Sequence, residues 1–148
     1  MNILYLIAHI GGTAVAIATD EIEAVVRVGE ITPAPGTPPY VAGLFALRSR
    51  VLTVIDVAML VSGQMSEASS THRDHAIICE AGGHSYALLV DDLEDIIPVG
   101  DEPQTVDRQI DERWKPYVKG ALEQGGRAFF IFSIATVLER CCAPASVV

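Results

Sequence analysis

Marked as apolar or polar, the chain is a series of short runs rich in β-branched and aliphatic residues, punctuated by glycine pairs. "NILYLIAHI" leads into Gly11-Gly12 and then "TAVAIA"; "HAIICEA" leads into Gly82-Gly83 and "HSYALLV"; "GALEQ" leads into Gly125-Gly126 and "RAFFIFSI". A glycine pair between two such runs predicts a hairpin, because glycine accepts the positive φ of tight primed turns. Three hairpins in 148 residues predict an all-β architecture. Further strands are predicted from Glu23 to Val28, Phe45 to Ile55 and Leu93 to Val99.

Helices are predicted to be few and short. "TDEIEAVV" can open with a turn capped by Thr19 or Asp20, "DVAMLV" starts at an Asp56 N-cap, and "SIATVLER" closes the fold from Ser133. Glu139 late in that last helix opposes the helix dipole, and Arg140 offsets it. Two polar stretches, 62–74 and 100–116, read as loops, the first a joint between halves near residue 66. "ITPAPGTPPYV" carries four prolines, which cannot donate ladder hydrogen bonds, so it is predicted to be a stiff edge connection. The halves share a layout of paired strands, a bend, a long connection and a strand entering a helix. That parallel predicts two small barrels of about five strands each, a size that side chains alone can fill.

Composition narrows the class. Half the residues are hydrophobic and a fifth are charged, so the chain has ample material for a core. A net charge of −9, with ten scattered Lys and Arg, gives nucleic-acid binding no electrostatic footing. "MNILYLIAHIGG" lacks the basic region and cleavage pattern of a signal peptide, and no uncharged apolar run reaches the roughly 18 residues that span a bilayer. The expected location is the cytoplasm, without membrane insertion. Cys79, Cys141 and Cys142 show no zinc spacing and are expected to be buried or idle thiols.

The search for chemistry predicts no catalytic residue, cofactor or metal. G-x-S-x-G, Walker A and G-x-G-x-x-G motifs are absent. His72 and His75 could share a metal only on a helix, and they lie in a polar loop. Asp91, Asp92, Glu94 and Asp95 could converge on a hard cation, but strand alternation sends them to two faces, so an acidic solvated bend is expected. His9 and His84 are expected to be exposed hairpin residues. Arg48 and Arg50 interrupt the apolar run "FALRSRVLTVIDVAML"; read as one strand, it puts both at the rim of a core. There they either pair with carboxylates across an interface or form a salt bridge to one of this chain's own acids.

The run "VAGLFALRSRVLTVIDVAMLV" resembles the signature of the CheW-like domain, with Gly43, Leu47, Arg48, Val54, Ile55 and Asp56 in the expected places. "SYALLVDDLEDIIPV", "YVKGALEQGGRAFFIFSIATVL" and "NILYLIAHIGGTAVAIATDEIEAVV" extend the likeness, in order, over essentially the whole chain, 1–148. The resemblance implies two five-stranded SH3-like β-barrel subdomains, about 1–66 and 67–148, with terminal segments open to exchange between lobes and a groove between them. It also implies a non-enzymatic adaptor joining the cytoplasmic hairpin tip of chemoreceptors to the CheW-like regulatory domain of a CheA-type histidine kinase. On that likeness Thr19, Ile22 and Ala24, faced by Leu93 and Ile96, would form the receptor groove, and Arg48 would serve the kinase side, where the neighbouring Arg50 adds charge and Ile31, with the proline-rich segment after it, offers an exposed, rigid apolar ledge. Ala24, Ala46, Ser49 and Thr53 depart from the family's usual Glu, Asn, Gly and Pro. The rival reading is a small-molecule or other protein-interaction module that uses the same crevice; a second is a metal enzyme at the acidic bend.

Overall fold

The computed structural model describes residues 3–62, 75–100 and 112–142. Ten strands and two short helices make up the described chain: β1 (Ile3–Ile10), β2 (Thr13–Ala18), β3 (Ala24–Arg27), β4 (Val41–Leu47), β5 (Arg50–Asp56), α1 (Val57–Ser62), β6 (His75–Ala81), β7 (His84–Val90), β8 (Asp92–Val99), β9 (Val118–Gln124), β10 (Arg127–Phe132) and α2 (Ile134–Cys142). Most of the predicted loops, 63–74 and 101–111, lie outside the described residues, as does His72.

All three glycine pairs form the predicted hairpins. Their φ values are 58° and 83°, 58° and 81°, and 60° and 80°, so both central residues are left-handed, as a type I′ turn requires. The hairpins then assemble into two five-stranded sheets, ordered β8-β1-β2-β10-β9 and β3-β6-β7-β5-β4. Pairing is antiparallel except for β2 with β10 and β5 with β7. Strands from before and after residue 66 occur in both sheets, so a division there does not separate them. The cause is that each hairpin leaves free edges: β1 pairs with β2 along one edge and with the distant β8 along the other.

Burial explains the high apolar content. Along β1, Leu6, Ala8 and Ile10 enter a core shared by both sheets, while Tyr5 and Ile7 enter an interior belonging to the first sheet. On β6, Ile77 and Cys79 face the shared core, and Ala76 and Ile78 face an interior belonging to the second sheet. Successive side chains on a strand point to opposite faces, so a strand between two cores must be apolar at every position. Three apolar layers result, with α1 and α2 contributing Val57, Val61, Ile134 and Val137 to the shared one.

Both helix starts are capped as predicted: Asp56 Oδ1 accepts from the Met59 amide at 3.1 Å, and Ser133 Oγ from the Thr136 amide at 3.2 Å. At Thr19–Glu21 there is a 3-10 turn with no side-chain cap, so the expected Thr19 or Asp20 cap is absent.

The predicted strand from Phe45 to Ile55 is in fact a hairpin. Leu47 pairs with Arg50, and the two-residue turn between them carries Arg48 at φ 59°, the only non-glycine residue at positive φ among those described. Alternation missed it because the turn residues, Arg48 and Ser49, carry no glycine, asparagine or proline. Replacing Arg48 by glycine is expected to stabilise the chain by about 0.5–1 kcal/mol in urea denaturation, since glycine holds this backbone without a Cβ penalty.

Gly43, in β4, adopts φ 148° where the incoming Thr32–Leu44 bridge crosses the strand. A Cβ there would run into the Thr32 carbonyl and approach Ile31 Cγ2 to 2.8 Å. Gly43→Ala is therefore expected to cost about 3 kcal/mol, combining backbone strain with overpacking. Gly12→Ala, where nothing lies within 4 Å of the added carbon, should cost only about 1–2 kcal/mol. Denaturant midpoints of the two variants check the ranking.

Candidate functional site

A groove of about 330 Å³ opens where β2 leaves the first sheet and β3 joins the second. Thr19, Ile22, Ala24 and Ile96, predicted from distant parts of the sequence, line it together with Leu6 and Val25. Leu6 and Ile96 stand opposite each other in the β1–β8 ladder, and Leu4 opposite Pro98 continues the same face outward. Ile96 is 51% exposed, Leu4 47% and Val25 41%, so large aliphatic surface faces solvent here. Leu93 does not join the lining; it sits opposite Ala8 and packs against the shared core.

Local contacts hold the groove wall. The Ile22 amide donates to the Thr19 carbonyl at 3.2 Å, and the Glu23 amide donates to the Ile78 carbonyl at 2.8 Å. Glu21 pairs with Lys119 of β9 at 2.7 Å, and Glu23 pairs with Arg50 of β5 at 3.1 Å. The connection is thus tied to the first sheet on one side and to the second on the other.

The cationic rim divides. Arg50 is held within the chain by Glu23 and by the Ser85 hydroxyl, which answers for Arg50 the alternative of an internal salt bridge. Arg48, at the tip of the β4–β5 turn, is exposed and makes no ion pair among the described residues. Beside it, Leu44 and Val51 are 38% and 64% exposed on one face of the hairpin, while Phe45, Leu47, Leu52 and Val54 pack inward. Ile31 was expected on an exposed ledge. It is half-buried instead, packed on the interior of the second sheet, because the Thr32–Leu44 bridge pulls the proline-rich segment onto β4.

A family model described as the CheW-like domain matches residues 4–142. The chain belongs to the CheW-like domain family. Its relatives in the family include the chemotaxis protein CheW of Rhizobium meliloti (strain 1021), 29% identical over 107 residues, or 72% of this chain and 68% of that one. The chemotaxis protein CheW of Thermotoga maritima is 24% identical over 126 residues, covering 85% and 81% of the two chains. In structure, this chain is similar to the scaffolding protein TtCheW from Thermoanaerobacter tengcongensis, with a TM-score of 0.76, 21% identity, and coverage of 90% of this chain and 86% of that one.

The acidic bend holds its carboxylates apart. Asp91 Oδ2 accepts from the Gly12 amide at 3.2 Å, and Asp92 and Asp95 accept from the amides of Leu93 and Ile96, each at 2.8 Å. Among the described residues no three His, Cys, Asp or Glu groups are placed to hold a metal. Glu94 anchors a clasp that sequence reasoning missed. Arg127 donates to both its oxygens at 2.8 Å, and His9 Nε2 lies 2.6 Å from Oε2. Arg127 also lies over the Phe129 ring, 4.7 Å from its centre. His9 is accordingly half-buried in a hydrogen bond across strands, and its position before Gly11 gave no sign of it.

Hydrogen bonds from Arg127, and then from His9, hold the Glu94 carboxyl down at about 2. A carboxyl depressed in the folded chain stabilises above its unfolded value, near 4.5, and loses that contribution as pH falls towards 2. Wild type should therefore exceed Glu94→Gln in stability at about pH 5, and the margin should vanish between about pH 4.5 and 2. Denaturant titrations of both proteins across that range check it, and Arg127→Leu should move the Glu94 midpoint upward in an NMR titration.

Proposed function

We propose that the chain is a non-enzymatic adaptor of a bacterial chemosensory array, coupling the cytoplasmic hairpin tip of methyl-accepting chemoreceptors to the CheW-like regulatory domain of a CheA-type histidine kinase. The observation that carries this reading is the groove: Thr19, Ile22, Ala24 and Ile96 form one concave apolar surface with exposed aliphatic flanks. An amphipathic helix docks on such a surface through a few side chains at helical spacing. Family membership and relatives named as chemotaxis proteins support the same role.

Magnitudes bear on how such a contact works. Each large aliphatic side chain fully buried contributes roughly 1.5–3 kcal/mol, and association itself costs roughly 4–15 kcal/mol. A groove with three such flanks binds weakly by itself. An adaptor in an array gains from several linked contacts, where effective concentration multiplies modest affinities. On the kinase side, the exposed Arg48 beside Leu44 and Val51 supplies a charge and apolar area on a rigid hairpin, whereas Arg50 and Ile31 act by holding that hairpin in place.

Ile22→Asp and Ala24→Asp are expected to weaken binding of a receptor-tip helix at least tenfold while leaving kinase binding intact. Ala24 is exposed, so the melting temperature of Ala24→Asp should match wild type even if Ile22→Asp, which leans on the shared core, loses stability. Arg48→Glu should fold normally and impair kinase binding. Calorimetric titration with a receptor hairpin and with the kinase domain checks each. Undiminished receptor binding by Ala24→Asp would remove the groove from the mechanism.

A further inference from the structure

The face of the second sheet beneath α2 carries a larger crevice, about 850 Å³, that shares no lining residue with the groove at Ile22. Its floor includes Thr53 and Tyr86, opposite one another in the parallel β5–β7 ladder, and its wall is α2 through Leu138. The rim bears Glu80 from β6, His84 from β7 and Glu139 from α2, and no lysine or arginine lines it.

These two carboxylates differ from most others among the described residues. Glu21, Glu23 and Glu94 are matched by Lys119, Arg50 and Arg127, and Asp56, Asp91, Asp92 and Asp95 accept from backbone amides. Glu80 and Glu139 have no hydrogen bond or ion pair among the described residues. Arg140, the nearest cation in sequence to Glu139, places its guanidinium over the Tyr117 ring, 5.4 Å from its centre. Unneutralised carboxylates over a concave apolar wall focus a negative potential into it, and a binding cation relieves that potential.

We propose that this crevice docks a partner protein through a short basic amphipathic segment, an apolar side chain entering against Tyr86 and Leu138 and a lysine or arginine meeting Glu80 and Glu139. The exposure of Ala135, Glu80 and Glu139 leaves the crevice open along α2, which suits a chain segment better than a small molecule, whose sites enclose most of its surface. The chemistry selected also differs from that of the groove, whose lining contains no ionisable residue. An adaptor can thereby hold two partners at once without competition.

The test is fluorescence anisotropy on the full chain with a labelled leucine–lysine peptide, its leucines at helical spacing, and with its leucine–glutamate counterpart. The basic peptide is expected to bind and the acidic one not. Glu80→Gln combined with Glu139→Gln should weaken binding about fivefold, the scale of two exposed ion pairs. Ala135→Arg, at an exposed lining position, should abolish binding with the fold intact, whereas Ala24→Asp in the groove should leave it unchanged. Glu30→Gln combined with Glu123→Gln removes the same charge elsewhere; an equal loss there would mean that net charge alone is being read, and would overturn the proposal. So would failure of the basic peptide to bind, equal binding of the acidic peptide, or full binding by Ala135→Arg.

Discussion

The apolar layer between the two sheets is the constraint on which the rest of the structure depends. β1, β2, β6 and β7 each present one face to it and the other to the interior of their own sheet, so neither sheet can move away without exposing strands that are apolar on both sides. Buried Phe132 and Tyr117 lock the last strand to this layer by stacking, and Trp114 meets Phe132 edge-on. The two sheets are therefore a single cooperative unit, although each has its own interior.

The groove lies where that layer meets solvent. The connection from β2 to β3 leaves one sheet and enters the other, and a chain segment that crosses between sheets cannot bury all its side chains in either. Ile22 leans inward on the shared core, while Ala24 and Val25 remain exposed beside Ile96. The groove is the geometric remainder of the crossing, and the pairs from Glu21 to Lys119 and from Glu23 to Arg50 keep its wall in one position. A surface held in this way is preorganised, so ordering it on binding would cost little.

The polar groups follow a similar logic of commitment. Most of the described acids, and Arg50, are engaged in turns, caps and ion pairs, where they fix local geometry. Arg48 at a hairpin tip and Glu80 and Glu139 around the α2 crevice are among the described charges left without an ion pair. An exposed ion pair contributes little to stability, so leaving these charges unpaired costs the fold little.

Local rules carried the sequence a long way. Glycine pairs announced three hairpins, Asp56 and Ser133 announced two helix starts, and the runs of apolar residues announced strands, because each of these signals acts within a few residues of chain. The family signature also named four residues that the fold gathers into one groove. What local patterns could not express is which free edge meets which. The pairing of β1 with β8, the parallel contacts of β2 with β10 and β5 with β7, and the clasp of His9, Glu94 and Arg127 join residues far apart in the chain. The turn at Arg48 was invisible for a related reason: pairing along β4 and β5 forces a left-handed residue where the local sequence offers no glycine. Elements were legible because short-range sterics and alternation set them; adjacency, and with it the exposure of Leu4, Val25 and Ile96, was decided only when distant strands competed to bury their apolar faces in the same layer.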